Sequence, residues 1–196
     1  ETAVGFAPAI LTRAGFTGEL GYEIWTTPDY FAALYDELWN AGDSLGLVHF
    51  GGRALSSLRL EKGYGSFNKD FRPDHTPAET GLDRFVDFGK PEFAGRAAAL
   101  AEREAGPKRR FVVMEVEAAD AEVIGYESIL KDGVAVGYVT SGAYGHCTAK
   151  SLAAGYVPTA LAGDGERFQI DILGAIRTAI VRRNPVYDPQ GLRLRG

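Results

Sequence analysis

The side chains best placed to meet a ligand are a carboxylate just after a glycine-punctuated turn and a guanidinium at a helix start. Gly15, Gly18 and Gly21 break the stretch Leu11–Trp25 into strand, turn and strand. Alternate strand side chains face opposite ways, so Glu23 shares a face with Trp25, and Tyr22 with Ile24. A carboxylate there is either a solvated rim residue, the commoner case for glutamate, or a ligand hook. Arg53 follows Gly51-Gly52 and opens the helical pattern Arg53–Lys62, which Gly63 closes. A cation in the first helical turn opposes the helix dipole, so it serves either a ligand, a buried carboxylate or solvent.

Other chemistry lacks residues. Cys147 follows His146 directly, and adjacent strand residues point apart, so no base lies in reach of the thiol. The 3 histidines and lone cysteine show no metal-ligand spacing. His75, beside a helix cap, reads as structural. No GxGxxG or P-loop occurs, so phosphate cradling and dinucleotide binding lack a warrant. No catalytic residue and no metal ligand is assigned.

The elements that must hold these groups are legible in turn. Thr27-Pro28-Asp29 starts a helix whose apolar stripe, Phe31, Leu34, Tyr35 and Leu38, is expected in the core; Gly42 ends it. Leu47–Phe50 reads as a short buried strand. Glu61 and Lys62 read as surface or bridging charges. Tyr64–Pro73 is irregular, Thr76-Pro77-Ala78-Glu79 is a capping box, and Gly81 stops that helix. Phe85–Phe88 reads as a strand and Gly95–Ala105 as an alanine-rich helix. Beyond the linker Gly106–Arg110 only short strands follow: 111–116, 128–131, 134–140, 151–157, 167–173 and 175–181. Asp132-Gly133 supplies a primed hairpin turn. That spacing predicts a small β-barrel or sandwich.

Composition bounds the function class. The 196 residues suffice for one large domain or two small ones, and 45% hydrophobic content suits a packed core. A net charge of −5 with interspersed signs gives no nucleic-acid footprint. No run of about 18 apolar residues suggests a spanning helix. Cys147 alone makes no internal disulfide and fits a reducing compartment, with the cytoplasm as the expected location. The start at Glu1, almost inside a strand pattern and without a leader, reads as that of a fragment.

Phe16-Thr-Gly-Glu-Leu-Gly-Tyr-Glu23 resembles the signature turn of the glycine-cleavage T-protein (aminomethyltransferase) superfamily. Gly51–Gly63, Thr76-Pro-Ala-Glu79 with Gly81-Leu82, and Thr140-Ser-Gly-Ala-Tyr-Gly-His146 with Lys150-Ser151 recur in the same order. The set is most similar to the folate-binding C-terminal region of dimethylglycine and sarcosine dehydrogenases. A motif cysteine of some relatives is replaced here by the run Glu61-Lys-Gly-Tyr64.

The resemblance implies an α+β fold: a partial folate-binding α/β domain over 1–106, then a small antiparallel β-barrel over 107–196. It implies tetrahydrofolate as cofactor, with Glu23 accepting two coplanar pterin donors as a carboxylate accepts a guanidinium fork. Arg53 would meet the pterin carbonyl or a cofactor carboxylate. Phe16, a tyrosine in many relatives, keeps an aromatic wall without the hydroxyl; Arg84 stands where several relatives carry an aromatic. The implied activity is one-carbon transfer, an amine oxidation feeding formation of 5,10-methylenetetrahydrofolate. The family's catalytic aspartate belongs before the hairpin, and FAD would belong to an upstream or partner domain of the parent. This chain alone is expected to be inactive. A non-catalytic docking domain of an oxidoreductase, or a folate-dependent demethylase, is the alternative.

Overall fold

Residues 2–196 are described by the computed structural model. Period-2 alternation dominates the C-terminal half. There β4 (Arg109–Val116), β5 (Ser128–Lys131), β6 (Val134–Gly145), β7 (Lys150–Pro158), β8 (Arg167–Ile172) and β9 (Ala175–Arg182) close into an antiparallel barrel in the order β4-β7-β6-β5-β8-β9. Closure removes every edge strand. Val112, Met114 and Val116 of β4 and Phe168, Ile170 and Ile172 of β8 fill its interior with Ile129, Val139 and Val181. Asp132 and Gly133 both take positive φ, as a primed turn between β5 and β6 requires.

The N-terminal part is a three-stranded antiparallel sheet of β1 (Thr2–Val4), β2 (Ala7–Thr12) and β3 (Glu23–Trp25). It is followed by α1 (Phe31–Gly42), α2 (Gly52–Glu61), α3 (Pro77–Thr80) and α4 (Arg96–Ala105). A short α5 (Leu192–Arg195) ends the chain. The fold is α+β with a closed antiparallel barrel, as the resemblance implied. No helix among the described residues is long and apolar enough to cross a membrane.

Helix α2 lies on the barrel and explains why β7 is buried on both faces. Leu60 of α2 packs against Leu152 and Ala154 of β7, with Phe111 and Val113 of β4 at the edge of the same cluster. The capping box at α3 forms in full: Glu79 N donates to Thr76 Oγ1 at 3.1 Å, and Thr76 N donates to Glu79 Oε2 at 3.2 Å.

Several elements differ from the sequence reading. Thr27 makes no side-chain cap; Pro28–Tyr30 form a 3-10 turn before α1. Of the α1 stripe only Leu34 is buried, while Phe31, Tyr35 and Leu38 are 56%, 49% and 40% exposed, because no element among the described residues covers that face. Leu47–Phe50 is not a strand. Leu47 N donates to Gly42 O at 3.1 Å, turning the segment back along α1, where the His49 ring stacks on Trp39 at 4.4 Å. Phe85–Phe88 is not a strand either. Asp83–Phe85 is a 3-10 turn, and Phe88 lies under the Arg103 guanidinium of α4, so the segment wraps its neighbours without a strand partner. Glu61 and Lys62 are 1% and 5% exposed and bridge to Thr148 and Asp188, so of the two readings it is the bridging one that holds.

Candidate functional site

Helix α2 carries Arg53, and it is latched to the barrel directly by Ser57 and Glu61 and through Asp70 by Arg59. Ser57 Oγ donates to Tyr144 O at 2.7 Å. Glu61 Oε1 accepts from Thr148 N at 2.7 Å and Thr148 Oγ1 at 2.8 Å. Arg59 Nη1 donates to Asp70 Oδ2 at 2.8 Å, with both side chains almost wholly buried at 4% and 0% exposed. The Asp70 carboxylate also accepts from Ser66 N at 2.7 Å and from the Thr140 hydroxyl of β6. Tyr156 Oη donates to Asp70 O at 2.7 Å. A buried ion pair persists only with such additional hydrogen bonds, and here they come from the helix, the loop after it and the barrel.

The glycine-rich turn between β2 and β3 seats on the far end of α2. Gly18, at φ +85°, lies against the Lys62 stem, where an added Cβ would sit 3.2 Å from it. Phe16 stacks on Tyr64 at 5.9 Å between ring centroids. Lys62 Nζ donates to Asp188 Oδ2 at 2.9 Å, and Leu20 N donates to Arg193 O at 3.1 Å. The Lys62 hydrogen bond holds the Asp188 carboxyl below its ordinary pKa. Tyr187 Oη donates to Glu19, which raises the phenol's pKa. The turn is therefore clamped, and β3 leaves it in a fixed direction.

Glu23 opens β3 opposite Thr12, with an exposed side chain. Arg53 is exposed in the first turn of α2. Gly51 gives that helix no side-chain cap, and the space around Gly51 and Gly52 is open. The free N–H groups and the guanidinium make this end of α2 electropositive. Neither Glu23 nor Arg53 enters an ion pair or side-chain hydrogen bond among the described residues. Phe16 packs just beyond the C-terminal end of α2, so it and Arg53 stand at opposite ends of that helix. Arg84 lies apart from the turn and is engaged locally: its Nη1 donates to Gly81 O at 3.1 Å and its guanidinium covers Phe85.

Other titratable groups serve the scaffold. His75, with a fully buried side chain, stacks on Tyr156 at 3.7 Å and contacts Tyr138 Oη through Nε2 at 3.3 Å. Burial, reinforced by the Arg109 charge, lowers its pKa. Cys147 is exposed, and partial desolvation and then the Glu61 carboxylate push its thiol pKa up. Among the described residues no group of histidine, cysteine, aspartate and glutamate clusters to hold a metal. Sequence reasoning missed the Arg59–Asp70–Thr140 network. The available signal was a lone arginine between Leu58 and Leu60, where the barrel-facing side of α2 carries apolar residues.

Comparison with known proteins gives consistent matches. The family model of the GCVT N-terminal domain matches residues 1–90, and that of the glycine cleavage T-protein C-terminal barrel domain matches residues 109–188. The mitochondrial dimethylglycine dehydrogenase of Rattus norvegicus is 35% identical over 189 residues, 96% of this chain and 22% of that protein. The 4-methylaminobutanoate oxidase (formaldehyde-forming) of Paenarthrobacter nicotinovorans is 38% identical over 199 residues, covering 100% of this chain and 24% of that protein. The solved glycine cleavage system aminomethyltransferase T from Bartonella henselae superposes with a TM-score of 0.84 at 31% identity, covering 91% of this chain and 50% of that one. The chain thus spans about half the length of the matched aminomethyltransferase and under a quarter of the two larger proteins.

Proposed function

Because the chain belongs to the glycine cleavage T-protein family, we propose that it is the tetrahydrofolate-binding C-terminal portion of a one-carbon transfer protein. The parent would be an amine-oxidising flavoenzyme of the dimethylglycine or sarcosine dehydrogenase kind, with FAD in a separate domain. The observation that carries this reading is the state of Glu23 and Arg53. Each is exposed and uncommitted, one on a clamped strand, the other at an uncapped helix start.

These residues fit the cofactor by their chemistry. A carboxylate with both oxygens free accepts a coplanar donor pair. A guanidinium beside free backbone N–H groups suits an anionic or carbonyl oxygen. When bound, tetrahydrofolate supplies the amine nitrogens that take up a one-carbon unit as 5,10-methylenetetrahydrofolate. The chain's own part is to bind and orient: Glu23 fixes the donor edge and Arg53 the oxygen. No residue here is assigned to proton transfer.

Calorimetry with 5-formyltetrahydrofolate, a stable reduced folate, tests the reading. Glu23→Ala is expected to weaken binding by about tenfold or more, the value of a charge-assisted hydrogen bond, and Arg53→Ala similarly. Equal binding by the parent sequence and Glu23→Ala would refute it. A second reading, docking to an oxidoreductase, is favoured by the exposed Trp25, Phe31 and Tyr35. It predicts that Phe31→Glu abolishes association with the flavoprotein while reduced folate does not bind at all.

A further inference from the structure

The two candidate ligand residues stand on separate elements. Glu23 opens β3 directly after the glycine-rich turn, and Arg53 stands at the start of α2. Among the described residues no hydrogen bond runs between that turn and α2. The turn meets the helix end only by packing, Phe16 on Tyr64 and Gly18 on the Lys62 stem.

The C-terminal segment, residues 187–195, joins them. Tyr187 N donates to Glu61 O, at the end of α2, at 3.0 Å. Lys62 Nζ, one residue on, donates to Asp188 O at 2.5 Å and to the Asp188 carboxylate at 2.9 Å. Both side chains of that ion pair are buried. The same carboxylate folds the tip of the segment: Oδ1 accepts from Leu192 N at 2.9 Å and Oδ2 from Arg193 N at 3.1 Å. The segment then holds the turn from both sides. After β2, Arg13 Nη2 donates to Arg195 O at 2.5 Å. Before β3, Leu20 N donates to Arg193 O at 3.1 Å, and Glu19 accepts from Tyr187 Oη. A ligand gripped at two points gains most when both anchors are already held in place, because binding then has less to order.

We infer that Tyr187 and Asp188 are positioning residues of the ligand site: through the C-terminal segment they set where Glu23 stands relative to Arg53, and docking of the segment is coupled to ligand binding. The inference rests on the folate reading of Glu23 and Arg53. Such coupling is reciprocal, so a docked segment strengthens binding and a bound ligand holds the segment down.

Calorimetry with 5-formyltetrahydrofolate and amide hydrogen exchange, both on the 196-residue chain, test it. Asp188 has φ +42°, a conformation that asparagine also tolerates, so Asp188→Asn removes the charge beside Lys62 without backbone strain. It should weaken binding by about fivefold or more. Tyr187→Phe deletes one hydroxyl and no packing, and should weaken binding by a smaller factor. Both variants should speed exchange at the Leu20 and Arg193 amides. In the native chain, bound ligand should slow exchange at Leu192 and Arg193, a response that a merely structural segment would not give. Asp120→Asn, the same charge change at the exposed partner of Arg177, should leave binding and these amides unchanged. Native affinity in both Asp188→Asn and Tyr187→Phe, with Glu23→Ala weakened, overturns the inference and leaves the folate reading standing. So does ligand binding that leaves Leu192 and Arg193 exchange unchanged, or an Asp120→Asn effect equal to that of Asp188→Asn. No binding by the native chain overturns both.

Discussion

Substituting Asp70 should uncouple α2 from the barrel. Asp70→Ala removes the acceptor of Arg59 Nη1, Ser66 N and the Thr140 hydroxyl at once. Arg59 is then left 3% exposed with only Tyr64 O, at 2.9 Å, as partner. Breaking a buried pair from one side costs about 3–5 kcal/mol, because the surviving charge stays desolvated. For a chain of this size that corresponds to about 6–20 °C in melting temperature, at roughly 2–4 °C per kcal/mol. Asp70→Asn keeps the shape and part of the hydrogen bonding, so about 1.5–3 kcal/mol is expected. The double variant Arg59→Met with Asp70→Leu should recover most of the loss, since both charges leave together. Urea denaturation of the native sequence, Arg59→Met, Asp70→Leu and the double variant gives each free energy and their coupling, with Asp70→Ala and Asp70→Asn measured alongside. A loss below about 1 kcal/mol in Asp70→Ala, or strict additivity in the double variant, would show that the network does not hold the helix.

Two further outcomes follow from titrating groups. Burial lowers the folded-state pKa of His75, so between that value and about 6.5 the unfolded chain binds a proton that the folded chain does not. Stability should therefore fall as pH drops from about 6.5, and His75→Gln, though less stable throughout, should lose that slope in denaturant melts at several pH values. Because the Cys147 thiol pKa is held up by partial desolvation and by Glu61, alkylation at neutral pH should be slower than for a free thiol. Glu61→Gln should accelerate it, and an unchanged rate with the fold intact would exclude the carboxylate as cause.

Glu61→Gln also touches what the sequence concealed. Local chemistry is written in neighbouring residues, so it was legible. The barrel strands follow from their short, close spacing, the primed turn from Asp132-Gly133, and the α3 cap from Thr76 and Glu79. Glu23 after its glycine turn and Arg53 after Gly51-Gly52 were found for the same reason. Burial is not local. The α1 stripe has core periodicity, yet Phe31 is 56% exposed, because periodicity shows that a face is apolar and not what covers it. Leu47–Phe50 has strand composition but no partner strand, so its backbone turns back on α1. Glu61 and Lys62 look like surface charges on a helix end until the barrel and the C-terminal segment close over them. The Arg59–Asp70–Thr140 network joins residues far apart in the chain. Barrel closure and the docking of α2 decide those neighbours. Propensity and pattern act over a few residues, whereas charge compensation acts over distances that only the folded chain sets.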